Sequence, residues 1–380
     1  MRMAQSYDEV KEASWTTYTE RASFTVDKTK LVNGAATLYV QVKDSAGNCS
    51  SSVVHNIPYD TPVCTLSIED GATFGSTTKK QSVTYSATDL GNITAYTLSL
   101  DGSKIASGSG NSWGTSYGSS YTLPLAYMAS GSHTLTMSAT DSAGNTGETS
   151  VSFTINRNFD EASVKDIGYN SVTGQFYKDA NTLHLWHLDS DGKEDSGSAE
   201  ITSYTHTNGG FEGAASALNG TVALDISTNA FTVEFWTRGK GDIHLSKESV
   251  LYFYNSYNSV SSYGNYMCHY YTTTDGVSNS SVGADSSART RSDDQWHYWA
   301  YVYESTYTAI YRDGVCVGYQ DGFMHTLNTN NNELSISASG IIDELRISNN
   351  ARSADEISAY YKTAKPILDG NTGSLDAIVW

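Results

Sequence analysis

Residues 340–347 are Gly-Ile-Ile-Asp-Glu-Leu-Arg-Ile, and residues 353–357 are Ser-Ala-Asp-Glu-Ile. Apolar side chains alternate along the first stretch and predict a buried strand that carries Asp343. In the second stretch, Ser353 and Glu356 have the spacing of a capping box, which begins a short helix of about ten residues. A strand with a fixed carboxylate, followed at once by a capped helix, predicts the closing edge of a large domain.

That domain is predicted to begin near residues 183–189, Leu-His-Leu-Trp-His-Leu-Asp. Strand patterns fill the interval between these two edges, and no other helical pattern occurs there. Many short strands separated by Gly, Asn and Ser turns predict a two-sheet jelly roll over residues 182–364. Residues 365–380 are predicted to be a C-terminal tail.

The composition predicts an all-β chain. Tyr (27) and Gly (32) are abundant among the 380 residues, Pro is rare (4), and charged residues make up only 17%. Strands favour aromatic residues, and tight turns favour small and polar ones. The length allows two or three domains, each able to bury its own core.

The chain is acidic, with a formal net charge of −18. This charge argues against nucleic acid as a partner, because binding to phosphates requires basic groups. Clustered carboxylates suit extracellular calcium modules, and acidity alone also keeps a tyrosine-rich surface soluble. No apolar run is long enough for insertion into a membrane.

The pentapeptide Asp-Ser-Ala-Gly-Asn occurs twice, at residues 44–48 and 141–145. Each copy joins two runs with strand alternation, so each predicts a hairpin with Gly-Asn in its turn. The copies lie about 100 residues apart, the length of one immunoglobulin-like sandwich. The repeat resembles the final hairpin of bacterial immunoglobulin-like modules. The carboxylates of Asp44 and Asp141 either bind calcium or cap their own turns.

This resemblance implies an immunoglobulin-like domain over residues 61–157 and a partial module over residues 1–60. A full sandwich needs about 100 residues. The first module is therefore either cut at its N-terminus or completed by a partner chain, and a second copy in a homo-oligomer is one such partner. Residues 158–181 are predicted to be a linker. The start of the chain lacks a signal-peptide pattern, so we expect a fragment of a longer exported protein or a virion component.

The four cysteines form no C-x-x-C pair, which argues against a zinc knuckle or a thioredoxin-type site. Two cysteines lie in each half of the chain. They either form the disulfides Cys49 with Cys64 and Cys268 with Cys316, or remain free buried thiols.

Six short stretches occur in the order found in laminin G-like, concanavalin A-like jelly rolls of extracellular proteins. They are Leu183-His-Leu-Trp-His-Leu-Asp189, Gly209-Gly-Phe-Glu-Gly213, Phe231-Thr-Val-Glu-Phe-Trp236, Gln295-Trp-His297, Tyr311-Arg-Asp-Gly-Val315 and Ile342-Asp-Glu-Leu-Arg-Ile347. The chain resembles this family over about residues 180–364, which implies the same fold and a lectin-like role.

The resemblance also implies a structural calcium ion between the opening and closing strands. By position it would be held by Asp189 and Asp343, and the loop after Asp189 adds the carboxylates of Asp191 and Asp195, which are the oxygen ligands that calcium requires. The alternative is a solvated turn, with Asp343 paired to Arg346 or another base.

Aromatic side chains are the candidates for ligand contact, because aromatic faces beside polar groups hold sugar rings. Tyr257 and Tyr263 lie in a tyrosine-rich loop of the jelly roll, and Trp113 lies in a Gly- and Ser-rich loop of the immunoglobulin-like domain. About half of the aromatic residues on a strand must face the core, and Trp113 could equally be a buried anchor beneath its loop.

Motifs of catalysis are missing from the sequence. Glycosidases on this fold need two carboxylates on one strand face, and neither that run nor a His-Glu-x-x-His site occurs in the sequence. We therefore expect a non-catalytic extracellular or cell-surface adhesion protein, in which immunoglobulin-like spacers present a lectin-like jelly roll to a glycan or a cell-surface protein. Two alternatives stay open: a phage virion structural or receptor-binding protein, and the accessory region of a secreted glycoside hydrolase.

Overall fold

The computed structural model describes most of the chain. The described residues are 1–30, 35–58, 60–110, 113–157, 168–189, 195, 201, 203–223, 230–239, 243–248, 250–255, 266–273, 276–283, 294–322, 327–328 and 332–370.

The first part of the chain forms a three-stranded antiparallel sheet beside a short helix, α1 (Tyr7–Glu12). The central strand β2 pairs with both neighbours, and the turn after it is held by Asp44, whose Oδ1 accepts a hydrogen bond from the backbone of Asn48 at 2.8 Å. Val53 and Val54 on β3 are largely exposed. The strands are β1 (Arg2–Ala4), β2 (Ala35–Gln41) and β3 (Val53–Pro58).

An immunoglobulin-like domain of two sheets follows, with strand orders β5-β11-β10-β7-β8 and β4-β6-β9. Leu98, Leu135 and Phe153 are buried between the sheets. The second repeat forms the predicted hairpin of β10 and β11, and its Asp141 accepts hydrogen bonds from Asn145. The strands are β4 (Val63–Leu66), β5 (Ala72–Gly75), β6 (Gln81–Thr88), β7 (Ile93–Leu100), β8 (Ser103–Ser109), β9 (Ser116–Leu123), β10 (Gly131–Asp141) and β11 (Thr146–Asn156).

The described residues from 168 to 370 form the predicted jelly roll. Its strands run in the order β19-β18-β17-β16-β23-β14-β24-β15-β20-β21-β22, while β12 pairs with β24 and β13 with β14. They are β12 (Thr182–Trp186), β13 (Ser203–Thr207), β14 (Ala214–Val222), β15 (Ala230–Arg238), β16 (Ile243–Lys247), β17 (Leu251–Asn255), β18 (Tyr266–Thr273), β19 (Gly276–Gly283), β20 (Trp296–Glu304), β21 (Tyr307–Arg312), β22 (Val315–Asp321), β23 (Leu334–Ala338) and β24 (Ile341–Ser348).

This long sheet folds back on itself into two layers. Phe253 on β17 packs edge-on against Tyr301 on β20, with ring centroids 5.3 Å apart, and Phe231 on β15 contacts both layers. Side chains from both halves form one core. The period-two alternation of the strands therefore directs one face of each layer inward and leaves the other outward.

The capped helix lies outside this sandwich. In α2 (Ala354–Leu368), Ser353 Oγ accepts from the backbone of Glu356 at 3.2 Å and the Glu356 side chain accepts from the backbone of Ser353 at 2.7 Å, so the predicted capping box is confirmed. Tyr360 packs against Trp236, and its hydroxyl accepts from the indole at 2.9 Å. The helix runs further than expected, with Pro366 in its last turn. Among the described residues, neither helix combines the length and the apolar character that a membrane span needs.

One expectation requires correction, and one open alternative is settled. Residues 168–181 are part of the jelly roll rather than a linker, because Phe176 is buried there and stacks on Tyr360 at 4.4 Å. All four cysteines are free. Cys64 lies against the Gly147 carbonyl, and Cys316 is buried, so the alternative of free thiols holds and neither disulfide forms.

A buried ion network ties the first and last segments of the jelly roll together. Glu234 on β15 accepts from Arg346 on β24 at 2.8 Å and from Arg352, which precedes α2, at 2.9 Å. Arg352 also contacts Asp179, which precedes β12, at 2.7 Å. Burial is the largest influence on the pKa of Glu234 and acts to raise it. The charges of Arg346 and Arg352 act in the opposite direction, and the pKa is lowered overall. The network therefore keeps the carboxylate charged inside the protein.

Substitution Glu234→Ala should be strongly destabilising, because it leaves two buried guanidinium groups without their shared anion. We expect a loss of about 3–5 kcal/mol in the free energy of unfolding, which is typical for breaking a buried pair. Denaturant unfolding followed by tryptophan fluorescence measures it. The exposed carboxylate of Glu333 supplies the control, since Glu333→Ala should change stability by less than about 0.5 kcal/mol. Equal effects of both substitutions would contradict the structural importance of the network.

Candidate functional site

The closing strand β24 contains a bulge at its two consecutive acidic residues. On β15, Glu234 pairs with Arg346 and Trp236 pairs with Asp343, so one extra residue is inserted on β24. Glu344 adopts a positive φ of 53°, as an extra residue in a bulge can require. Both Asp343 and Glu344 are fully buried. A regular strand would place neighbouring side chains on opposite faces, and the bulge allows both to reach one site.

At this site Asp189, Asp343 and Glu344 each offer a carboxylate oxygen, and these oxygens lie within 4.8 Å of one another. Asp343 Oδ2 accepts from the backbone of Phe211 at 3.0 Å, and Oδ1 accepts from the backbone of Glu344 at 2.9 Å. We call these three residues the acidic trio. It joins the loop after β12, the loop before β14 and the closing strand.

The carboxylates of Glu344 and Asp189 differ in their hydrogen bonds: both oxygens of Glu344 have a partner, but only one oxygen of Asp189 does. Nδ1 of His187 donates to Glu344 Oε1 at 2.6 Å, and the backbone of Phe176 donates to Oε2 at 2.6 Å. Gln175 donates to Asp189 Oδ2 at 3.0 Å. The second oxygen of Asp189, Oδ1, is buried and has no hydrogen-bond partner among the described residues. An unsatisfied buried carboxylate oxygen is costly, so this atom needs a partner.

Burial raises the pKa of Asp343 well above its usual range, and the neighbouring Glu344 carboxylate adds to this. Burial also raises the pKa values of Asp189 and Glu344. Although burial opposes it, the hydrogen bond to Glu344 and the charge of that carboxylate raise the pKa of His187 to about 9. One imidazolium ion thus faces three acidic groups. Further positive charge is needed if all three are ionised.

The trio has the chemistry of a calcium site. Calcium takes carboxylate and carbonyl oxygens at about 2.3–2.6 Å, so ligands of one ion can lie up to about 5 Å apart. The surrounding loop is shaped by glycine: a Cβ on Gly210 would lie 2.2 Å from Asp343 Oδ2, and a Cβ on Gly213 would lie 2.1 Å from the Asp189 carbonyl oxygen. Together with the unsatisfied Asp189 oxygen, these features fit an ion held by oxygen ligands.

The sequence-predicted metal ligands are only partly brought together. Asp189 and Asp343 meet, as expected. Asp195 is exposed and contacts His187 Nε2 at 3.4 Å, on the side away from Glu344. Asp191 lies outside the described residues. The alternative partner of Asp343, Arg346, is bound to Glu234, so that interpretation was wrong.

A second acidic group, Asp60, Asp89 and Asp141, lies in the immunoglobulin-like domain. Asp141 caps its own turn there, through the backbones of Ala143 and Asn145, both at 2.8 Å. The turn-capping role of this repeat is therefore present in both copies.

The outward face of the jelly-roll layer formed by β13, β14, β23, β16 and β17 carries a continuous row of polar and aromatic residues. Strand register places Ser203 opposite Asn219, Asn219 opposite Ser337, Ser337 opposite His244, and His244 opposite Tyr254. We call these five residues the outer row. They line a shallow depression of about 460 Å³.

The outer row is presented by core packing on the opposite side of the same strands. Leu245 and Phe253 point inward and are buried, so their neighbours His244 and Tyr254 must point outward. The imidazole of His244 lies edge-on to Tyr254 at 5.9 Å and to Tyr252 in the adjacent row at 4.5 Å. The alternation of apolar and polar residues in β16 and β17 was the sequence signal that could have revealed this face.

Trp113, one of the predicted ligand-contacting aromatic residues, does not lie on this face. Trp113 packs in the immunoglobulin-like domain against Tyr117 at 4.5 Å and Tyr96 at 5.6 Å, which is the arrangement of a partly buried anchor. Tyr257 and Tyr263 lie outside the described residues.

Comparison with known proteins places the fold. Residues 208–358 match the family model described as the concanavalin A-like lectin/glucanases superfamily. This part of the chain is a concanavalin A-like domain. No curated protein matches the sequence significantly.

Solved structures resemble the chain at low identity. Domain 4 of AbnA, a GH43 extracellular arabinanase from Geobacillus stearothermophilus in complex with arabinotriose, is 15% identical, with a TM-score of 0.36 and coverage of 48% of this chain and 100% of that one. A putative carbohydrate binding protein from Bacteroides ovatus is 12% identical, with a TM-score of 0.29 and coverage of 76% and 82%. The botulinum neurotoxin DC binding domain is 12% identical, with a TM-score of 0.33 and coverage of 49% of this chain and 52% of that one, so the chain spans about half of its length.

Substitution of Gly210 should show how tightly the trio is enclosed. Gly210→Ala would place a methyl group 2.1 Å from the Gly213 carbonyl oxygen in addition to straining a φ of +71°. Gly322, with φ +84° and open space around its Cα, is the matched control. We expect Gly322→Ala to lower the free energy of unfolding by about 1–2 kcal/mol, and Gly210→Ala to lower it by at least about twice as much. Similar losses for both would show that the loop can relax around the trio.

Proposed function

We propose that the jelly roll binds carbohydrate on the outer row. The observation that carries this proposal is the strand register, which brings two hydroxyls, an amide, an imidazole and a phenol into one line across five strands. Sugar rings present both hydroxyls and apolar C–H faces, so they are recognised by donors and acceptors beside aromatic rings. The family match to lectins and glucanases supports the same class of ligand.

The groups of the outer row favour binding over hydrolysis. Cleavage of a glycosidic bond usually requires two carboxylates on either side of the bond. The five residues of the row are Ser203, Asn219, Ser337, His244 and Tyr254, and none is an acid. We therefore propose a non-catalytic role, which a hydrolysis assay with the intact chain against the glycans that it binds would test.

The acidic trio is proposed to hold a structural calcium ion. Asp189, Asp343 and Glu344 would bind it, and the ion would supply the positive charge that the trio needs. The trio lies beside the start of β14 at Ala214, and Asn219 of the outer row lies about 17 Å further along this strand. The ion would therefore stabilise the loops at one end of the jelly roll without contacting the sugar.

The setting proposed for this binding is an extracellular surface or a virion surface. The three parts of the chain follow one another in sequence, with the jelly roll after the immunoglobulin-like domain. Shallow sites bind single glycans weakly. When several copies lie on one surface, the first contact holds the others at a high effective concentration near their glycans, which raises the overall affinity. Adhesion through many weak contacts would follow from this arrangement.

Calcium should stabilise the wild-type chain. Binding to the folded state alone adds about 1.4–2.7 kcal/mol when free calcium is about ten to a hundred times Kd. Thermal unfolding in calcium and in EDTA measures the effect. We expect Asp343→Asn to abolish the calcium response, because it removes one of the three carboxylates that would face the ion.

Asp195→Asn is the control for this experiment, because Asp195 is an exposed carboxylate outside the trio. It should keep the calcium response. If the wild-type chain unfolds at the same temperature in calcium and in EDTA, the metal proposal is refuted. If Asp343→Asn responds to calcium as strongly as wild type, the ion does not bind at the acidic trio.

Tyr254→Ala should weaken glycan binding by at least about ten-fold, equivalent to about 1.4 kcal/mol. The substitution removes the aromatic ring at one end of the row while leaving Phe253 to hold the strand in the core. A glycan array of the wild-type chain identifies the ligand, and titration calorimetry then measures the loss. Tyr18→Ala, which removes an exposed tyrosine far along the chain, should leave the affinity unchanged. Equal affinity of Tyr254→Ala and wild type would exclude the outer row as the site.

A further inference from the structure

A second cavity lies between the immunoglobulin-like domain and the jelly roll. It has a volume of about 280 Å³, near the lower end of ligand pockets, which begins at about 300 Å³. One wall contains Asp101, Met128 and His133, and the other contains Asp313 and Val315. We call this cavity the interdomain cleft. Ligand sites commonly occupy such boundaries between domains.

The first wall is built on an Asp-Gly hairpin turn between β7 and β8. Asp101 and Gly102 have positive φ angles of 50° and 79°. The carboxylate of Asp101 is fixed twice, because Oδ1 accepts from the backbone of Thr134 at 2.8 Å and Oδ2 lies 2.6 Å from Nδ1 of His133. The other ring nitrogen of His133 lies 2.8 Å from the Ala129 carbonyl oxygen, so the imidazole cannot turn away.

The second wall repeats this arrangement in the jelly roll. Asp313 and Gly314 form the turn between β21 and β22, with φ angles of 54° and 79°. Asp313 Oδ1 accepts from the backbone of Tyr298 at 3.0 Å, and Oδ2 lies 2.7 Å from Nδ1 of His297. In both domains, therefore, an Asp-Gly turn is locked by a histidine and by the backbone of the next residue. The two walls are rigid before any ligand binds.

The walls are also fixed relative to each other. Tyr127 of the immunoglobulin-like domain stacks on Tyr307 of the jelly roll at 4.7 Å, and its hydroxyl donates to Asp321 at 3.2 Å. Lys80 forms an ion pair with the same Asp321 at 2.8 Å. The jelly-roll residue Val315 packs in the core of the immunoglobulin-like domain. The cleft is thus a lasting feature of the folded chain.

The lining favours a neutral polyhydroxyl ligand. Leu100, Met128 and Val315 supply an apolar floor. The negative charges already have partners, since Asp101 contacts His133 and Asp313 lies 3.5 Å from Arg312. A ligand anion would meet two carboxylates, and a ligand cation would meet carboxylates whose oxygens already have partners.

The mouth of the cleft adds the remaining polar groups. Ser132, Tyr361 and Lys362 contribute two hydroxyls and an ammonium group. Hydroxyl and ammonium groups above an apolar floor match a ring with one C–H face and several hydroxyls. We propose that the interdomain cleft binds a single neutral sugar ring, as a second carbohydrate site independent of the outer row.

Filling the mouth of the cleft tests this proposal. The probes are glucose, galactose, mannose and N-acetylglucosamine, and saturation-transfer NMR with the intact chain detects millimolar binding. We expect at least one of these sugars to bind. Ser132→Trp places an indole at the exposed mouth and should weaken that binding by at least about ten-fold.

Ser120→Trp is the matched control, because Ser120 is exposed on β9 of the same domain but does not line the cleft. It should keep the wild-type affinity, and thermal unfolding of both variants checks that they fold. Tyr254→Ala separates the two proposed sites, since it should leave cleft binding intact. The proposal is overturned if none of the four sugars binds, if both tryptophan variants bind like wild type, or if Tyr254→Ala removes the signal.

Discussion

The buried carboxylate of Glu234 is the constraint on which the jelly roll depends. It accepts from Arg346 on the closing strand and from Arg352 just before α2, and Arg352 reaches Asp179 before the opening strand. Burying these charges is favourable only when each has a well-placed partner. The network therefore fixes where β24 lies between β12, β14 and β15. That position in turn determines where Asp343 and Glu344 can point.

The same strand carries the opposite electrostatic situation only a few residues away. Around Glu234, two guanidinium groups compensate the buried acid, whereas the acidic trio has one ion pair among the described residues, between Glu344 and His187. A fold that stabilises one set of buried charges so completely has no structural need to leave another set short of positive charge. This contrast between the Glu234 network and the acidic trio supports the proposal that an external cation is the missing partner of the trio.

Local patterns in the sequence predicted the elements and much of their order. The alternation in residues 340–347, the capping box at Ser353 and the two Asp-Ser-Ala-Gly-Asn turns all depend on neighbouring residues, and each forms as expected. The bulge at Glu344 could not be predicted, because it arises from how β24 pairs with a strand about a hundred residues earlier. For this reason Glu344 and His187 were missed, and Arg346 was assigned to the wrong acid. The outer row required strand register, which periodicity within a single strand does not contain.

The relation between the two main domains also changes the view of the immunoglobulin-like part. A spacer needs only its own core and a linker, but Val315 crosses from the jelly roll into that core and Tyr127 stacks in the opposite direction. Interfaces within a chain that are built from a few polar contacts allow domain motion, whereas aromatic stacking combined with a shared apolar residue resists it. The immunoglobulin-like domain therefore holds the jelly roll in a fixed orientation. If the outer row binds glycans as proposed, this fixed orientation would favour multivalent binding, because copies that present their outer rows at a constant angle lose less freedom on a surface than copies on flexible linkers.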